Sequence, residues 1–225
     1  MPKKKIAVVL LSGGLDSACT LYIARKKGFA PFALTFDYSQ RHRRELIAAK
    51  SIAKSIGIPI KIVKINFPWT NSALLNKKIP LPKGRKIRDI SKFIPPTYVP
   101  ARNIIFLSIA AGFAESLNAD AVFIGANAID FSGYPDCRPE FFKAMKKAIA
   151  VGTKSGLTRD IKIEAPLLNK SKAEIIKLGA QLNVPFALTW SCYEGRKRPC
   201  LKCDSCILRK RGFESAGAID PLTRK

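Results

Sequence analysis

Short apolar runs alternate with amphipathic stretches along most of the chain. Residues 5–11 (KIAVVLL), 30–36 (APFALTF), 59–65 (PIKIVKI), 121–126 (AVFIGA) and 161–165 (IKIEA) are brief and rich in Val, Ile, Ala or Phe. That is the pattern of strands covered on both faces. Between them, residues 16–27, 40–56, 101–118, 138–151 and 171–182 have apolar positions at helical spacing. Gly28 and Gly57 follow two of these stretches as helix stops, and Ser171 with Glu174 three residues on forms a capping-box pattern. Strands alternating with helices predict βαβ units and right-handed crossovers. The expected fold is α/β, a Rossmann-like doubly wound parallel sheet of five strands over residues 1–186. Residues 187–225, which lack the alternation, are expected to pack on it as a separate C-terminal segment.

The periodicity fails over residues 66–100, which are rich in Pro and Lys and predict a long, partly mobile insertion. Charge is the other departure from the ordinary. There are 40 Lys and Arg against 16 Asp and Glu, a net +24, concentrated in residues 76–92 and 194–211. Such an excess suits either a polyanionic partner or a solvated Lys-rich surface, and the sequence alone does not separate them. No apolar run approaches the ~18 residues of a membrane span. The opening MPKKKIAVVLL imitates a signal peptide, but it runs into Gly13, Gly14 and Asp16 without a small-residue cleavage site. A buried first strand and a cytoplasmic protein are expected.

The first strand ends in LLSGGLDSACT (10–20). A Gly-rich turn from strand to helix points backbone N–H groups and a helix N-terminus at an anion. Ser12 and Ser17 add hydroxyls, and Leu15 anchors the turn. No Lys follows the glycines, so this is neither the G-x-x-x-x-G-K-[ST] phosphate loop nor G-x-G-x-x-G. Asp16 is the unusual member, because a carboxylate beside phosphates is repulsive unless it holds a metal such as Mg2+ or orients another group.

Four of the six cysteines, Cys192, Cys200, Cys203 and Cys206, are spaced C-x7-C-x2-C-x2-C. That spacing predicts a structural tetrathiolate Zn2+ site, with an iron–sulfur cluster as the rival. Cys19 is expected to be a buried thiol, and Cys137 is ambiguous. The single histidine, His42, builds no metal site alone.

The intact S-G-G-L-D-S, in its strand–turn–helix setting, resembles the PP-loop of the N-type ATP pyrophosphatases, whose fold is that of the adenine nucleotide alpha hydrolases. Those enzymes cleave ATP between the α- and β-phosphates and adenylate a substrate. With the P-A-R-N helix (100–103), the S-G-Y-P-D-C-R-P-E-F loop (132–141) and the four cysteines in this order, the chain closely resembles the 7-cyano-7-deazaguanine synthase family. The resemblance covers all but residues 66–98 and the basic tail. It implies that 7-carboxy-7-deazaguanine, ATP and ammonia are converted to 7-cyano-7-deazaguanine (preQ0), a precursor of queuosine and archaeosine, through an adenylated carboxylate and an adenylated amide. It implies small-molecule substrates, a homodimer, and no need of nucleic acid or membrane.

Residue roles follow from the same resemblance. Leu11, Ser12, Gly13, Gly14, Leu15, Asp16, Ser17, Phe36, Asp37 and Gly125 are expected at ATP, with Asp16 near magnesium. Asp16, Lys170 and Arg102 are the candidate catalytic groups. Asp130, Tyr134, Asp136 and Arg138 are the candidates for the deazaguanine, one of the two aspartates accepting its N1–H and 2-amino donors, with Phe131 as a further stacking face. The sequence shows no glutaminase domain, so ammonia is expected free or from another protein. The nearest rival is a PP-loop tRNA-modifying enzyme, a thiolase or lysidine synthase. A non-enzymatic zinc-ribbon binder of nucleic acid is the rival from another class.

Overall fold

A computed structural model describes residues 4–90, 94–127 and 134–223. Five parallel strands, β1 (Ile6–Leu10), β2 (Ala30–Asp37), β3 (Ile60–Lys64), β4 (Ala121–Phe123) and β5 (Lys162–Glu164), lie in the order β3-β2-β1-β4-β5. The helices are α1 (Leu15–Lys26), α2 (Arg44–Ser55), α3 (Ile87–Ile90), α4 (Arg102–Ser116), α5 (Pro139–Gly152), α6 (Lys154–Thr158), α7 (Lys172–Gln181) and α8 (Asp204–Ser215). The five expected strands and five expected helices are all present, with ends shifted by a few residues.

Side chains alternate across a strand, so the central strand feeds two cores. Ala7, Val9 and Leu11 pack with Leu21 of α1, Ile52 of α2, Ile175 of α7 and Phe213 of α8. Val8 and Leu10 pack on the other face with Leu107 and Ala110 of α4 and Phe142 of α5. Ala7, Val8 and Val9 are fully buried, which explains why β1 reads as an unbroken apolar run. The chain builds outward from β1 through β2 to β3, then returns to place β4 on the other side of β1. The switch point therefore falls between β1 and β4, where the carboxyl ends of the strands diverge.

The structure changes or adds to the expected fold in three places. The predicted fourth strand shortens to Ala121–Phe123, because Gly125 leaves the sheet over the loop after β1. A Cβ on Gly125 would stand 2.9 Å from the carbonyl carbon of Asp16 and 2.9 Å from the Ser17 nitrogen. In the described part of the 66–100 insertion, Phe67, Ser72, Ala73, Thr97 and Val99 are buried against the body. Arg41 Nη1 donates to the carbonyls of Ala73 (3.0 Å) and Ile79 (3.1 Å), satisfying backbone groups that irregular chain leaves over. Finally, α8 was not predicted; it follows Cys203, and its Phe213 completes the main core.

Arg209 of α8 fastens the C-terminal segment. Its guanidinium donates to both Asp220 carboxylate oxygens (2.7 and 2.9 Å), to Thr189 Oγ1 (2.8 Å) and to the Phe186 carbonyl (3.3 Å). Both partners of the ion pair are buried. Asp220→Ala strands a buried cation and is expected to cost about 3–5 kcal/mol, read from urea unfolding. A cost near zero would mean that the pair does not hold this segment down.

Candidate active site

The loop after β1 opens onto a cavity of about 270 Å³ at the switch point. Gly14 is the N-cap of α1, no side chain caps that helix, and its first residues Leu15, Asp16 and Ser17 line the cavity. A helix N-terminus in this condition attracts anions through both its donors and its dipole. Ser17 Oγ donates to the Gly14 carbonyl and Ser12 Oγ lies 3.0 Å from Ser17 Oγ, which holds both hydroxyls at the same mouth. Of the candidate residues, Leu11, Ser12, Gly14, Leu15, Asp16, Ser17, Phe36, Arg102, Gly125 and Tyr134 line the cavity.

The lysine that the structure brings to Asp16 is Lys172, not the expected Lys170. The Lys172 Nζ donates to both Asp16 oxygens, at 2.8 and 2.7 Å, and the pair lines the cavity. Ser171 caps α7 with a complete capping box, so Lys172 is the first helical residue and turns toward α1. Lys170 precedes the cap, does not line the cavity, and meets it only through its carbonyl, which accepts from Asn127 Nδ2 at 2.5 Å.

Four more candidates stand away from the cavity. Gly13, at φ +90°, faces α2, where a Cβ would collide with the Glu45 carbonyl; its freedom lets helix and loop approach. Asp37 accepts from the Ser39 amide at 3.4 Å and pairs its backbone with β3. Asp136 is buried beneath α4, where its carboxylate accepts the Asn103 amide at 3.1 Å and its carbonyl the Asn103 side chain at 3.0 Å. It thus caps a helix whose own N-cap, Ala101, sits in the left-handed region at φ +55° and provides no side-chain bond. Arg138 is exposed as the N-cap of α5. Asp130 and Phe131 lie outside the described residues.

The sequence reading passed over several lining residues, among them Tyr38, Glu45, Phe106, Asn127, Tyr193 and Lys172. Phe36 stacks on Phe106 at 3.9 Å and 10°, making a flat apolar wall. Tyr134 Oη is 3.1 Å from Thr97 Oγ1, an anchor supplied by the insertion. Burial raises the Glu45 carboxyl to about 7, with Arg102 opposing and Cys192 adding to the rise. Burial lowers the tendency of Arg102 to carry charge, yet Tyr38, Tyr134, Asp136 and Cys137 around it hold it firmly protonated. Nothing in the local periodicity marks these residues; they come from six separate stretches of chain.

Cys137 also lines the cavity, but burial, with Asp136 beside it, pushes its thiol up to about 12. Cys19 is fully buried in the opposite core, on the α1 side of the sheet. The two thiols therefore lie on opposite faces of the sheet and form no redox or sulfur-transfer pair.

The remaining four thiols come together. Cys192, Cys200, Cys203 and Cys206 have their sulfurs within 4.8 Å of one another, and Cys200 Sγ to Cys206 Sγ is 3.9 Å. A tetrahedron with Zn–S bonds of ~2.3 Å has S–S edges of about 3.8 Å, so the donor set fits zinc. The Cys200 amide points at Cys192 Sγ and the Cys203 amide at Cys200 Sγ, both at 3.3 Å, a backbone arrangement suited to thiolates. Four protein ligands leave no open position. Ser191 and Tyr193, on either side of Cys192, line the cavity, so the cluster shapes one of its walls.

Among the described residues, no helix is long and apolar enough to cross a membrane. A family model described as queuosine biosynthesis protein QueC matches residues 6–217. The 7-cyano-7-deazaguanine synthase of Thermoplasma volcanium is 55% identical over 222 residues, spanning 99% of this chain and 91% of the relative. The proteins of that name from Nostoc punctiforme and Acetivibrio thermocellus are 51% and 52% identical, each over 96% of this chain, and spanning 98% and 96% of those relatives. An uncapped helix N-terminus beside an Asp–Lys pair, a mixed aromatic and charged cavity and a closed thiolate cluster thus sit in a chain that belongs to the QueC family of queuosine biosynthesis proteins.

Proposed function

We propose that the protein converts 7-carboxy-7-deazaguanine to 7-cyano-7-deazaguanine, consuming ATP and ammonia. The observation that carries this reading is the Asp16–Lys172 pair beside the uncapped N-terminus of α1, in a chain of this family. The reaction needs two activations. Neither a carboxylate oxygen nor an amide oxygen leaves at neutral pH until it carries a good leaving group, and AMP is one.

The α1 N-terminus, with Ser12 and Ser17, holds the departing pyrophosphate. Lys172 lies close enough to offset charge developing there. Arg102 pairs with the substrate carboxylate or the α-phosphate. The Phe36–Phe106 wall lies beside adenine and Tyr134 stacks on the deazaguanine. Asp130 or Asp136 is the carboxylate proposed for the base's N1–H and 2-amino donors, Asp136 having lone pairs beyond the one that the Asn103 amide uses.

Mg2+ would arrive with ATP and neutralise its phosphates. Asp16 keeps lone pairs beyond the two that Lys172 uses, and so can hold it. Zinc in the thiolate cluster is structural. A homodimer and free ammonia complete the proposal.

Products identify the reaction class. Turnover of α-labelled ATP with 7-carboxy-7-deazaguanine and ammonium is expected to give AMP and pyrophosphate, resolved by chromatography. ADP as the dominant product would overturn the reading.

A further inference from the structure

The cavity contains two acidic side chains among its described lining residues, Asp16 and Glu45. They are not equivalent. Asp16 has an ammonium from the protein itself, Lys172, on both of its oxygens. Among the described residues, the Glu45 carboxylate has neither a hydrogen-bond donor nor an ion-pair partner within 4.0 Å. A half-buried carboxylate that lines a cavity without a donor of its own is a place for a cation from outside.

The groups around Glu45 narrow what that cation is. Arg102 of α4, Tyr38 after β2, and Tyr193 and Cys192 of the C-terminal segment all act on it or are acted on by it. Arg102, Tyr38 and Tyr193 line the cavity with it. Arg102 suits an anion and Glu45 a cation, and both belong to the same cavity. The reaction proposed above brings together such a pair, a substrate carboxylate and ammonium. Ammonia is overwhelmingly ammonium at neutral pH, and ammonium has no lone pair with which to attack. It needs both a counter-charge that draws it in and an acceptor for one proton.

We infer that Glu45 binds the ammonium ion of the reaction, holds it against the carboxylate carbon activated beside Arg102, and takes its proton. This inference rests on the proposed function. One N–H bond breaks, its proton passing to the Glu45 carboxylate and its electron pair staying on nitrogen. That pair forms the C–N bond to the acyl adenylate. The C–O bond to phosphate then breaks with its electrons, AMP leaves, and the second proton lost from nitrogen goes to the departing phosphate. No oxidant or reductant is involved.

Glu45→Gln keeps the side chain's shape and removes its charge. The test pairs three measurements on the intact protein. Exchange of pyrophosphate into ATP, driven by 7-carboxy-7-deazaguanine without ammonium, reports the first adenylation; its absence in the unaltered protein would refute the proposed function. With exchange present and retained in the variant, the KM for ammonium is expected to rise about ten- to a hundredfold, the loss of one charge-assisted contact. Hydroxylamine, uncharged at neutral pH, is expected to trap the acyl adenylate as the hydroxamate at a rate within about threefold of the unaltered protein. An unchanged KM for ammonium would overturn the inference. So would equal losses with ammonium and hydroxylamine, or a raised KM for 7-carboxy-7-deazaguanine alone, which would make Glu45 a reader of the base.

Discussion

Lys172→Met is expected to lower kcat/KM by about 10²- to 10³-fold, while Lys170→Met stays within a few-fold of the unaltered protein. Methionine keeps most of the apolar stem that packs in this buried position and removes the charge. On the proposed mechanism the change removes a cation that offsets charge growing as pyrophosphate leaves, and groups of that kind typically contribute a few kcal/mol to the transition state. The same change leaves Asp16, held at 2.7 and 2.8 Å by Lys172, without its partner. The repulsion between that carboxylate and the phosphates then adds to the loss. Steady-state kinetics with 7-carboxy-7-deazaguanine, beside a melting curve to show that the fold survives, make the comparison. Full activity in Lys172→Met together with a dead Lys170→Met would reverse the assignment and return the role to the residue before the α7 cap.

Removal of the metal from the thiolate cluster is expected to lower Tm by about 10 °C or more, and Cys203→Ser to do the same. Structural zinc sites provide folding free energy directly, and a chain of this size shifts by ~2–4 °C per kcal/mol. Here the effect is limited by the chain's own two cores. It is still large, because Cys203 is fully buried and begins α8, whose Phe213 lies in the main core. Activity should fall in step with stability, since Ser191 and Tyr193 flank Cys192 and line the cavity. Elemental analysis is expected to give about one zinc per chain. Iron with visible absorbance in protein purified without oxygen would refute zinc, and an unchanged Tm after chelation would refute the structural role.

The rival readings part from the structure at identifiable atoms. Sulfur transfer through Cys19 and Cys137 would need the two thiols to meet, whereas they belong to opposite cores. A zinc-ribbon binder of nucleic acid would not need the uncapped α1 N-terminus or the Asp16–Lys172 pair. The basic stretches at 76–92 and 194–211 do meet: Lys83 pairs with Cys203 in an isolated bridge, Gly84 donates to the Lys202 carbonyl at 2.8 Å, and Arg85 pairs with Asp204. In these contacts the insertion braces the cysteine cluster, so part of the charge has a structural use.

What could be read from the sequence was local. Ala7 to Leu10 announce a doubly covered strand because a parallel sheet buries both faces, and the two cores on either side of β1 require apolar residues at consecutive positions. The S-G-G-L-D-S loop and the cysteine spacing were legible for the same reason. An anion at a helix N-terminus and a thiolate tetrahedron each draw most of their partners from one short stretch, so the spacing itself encodes the geometry. The Ser171–Glu174 capping box is of this kind too.

The tertiary structure alone decided which distant residues share the cavity. Lys170 and Lys172 are indistinguishable as sequence, yet a helix cap between them sends one to Asp16 and leaves the other outside. The carboxylate of Asp136, a candidate for the base, lies beneath α4 and accepts an amide that Ala101 cannot cap. Glu45 gave no signal, because its meaning lies in the donor it lacks and in Arg102 nearby, 57 positions along the chain. Periodicity reports which face a residue takes on its own element. The company it keeps is set by how elements pack and where loops cross the sheet edge, and these depend on the whole chain at once.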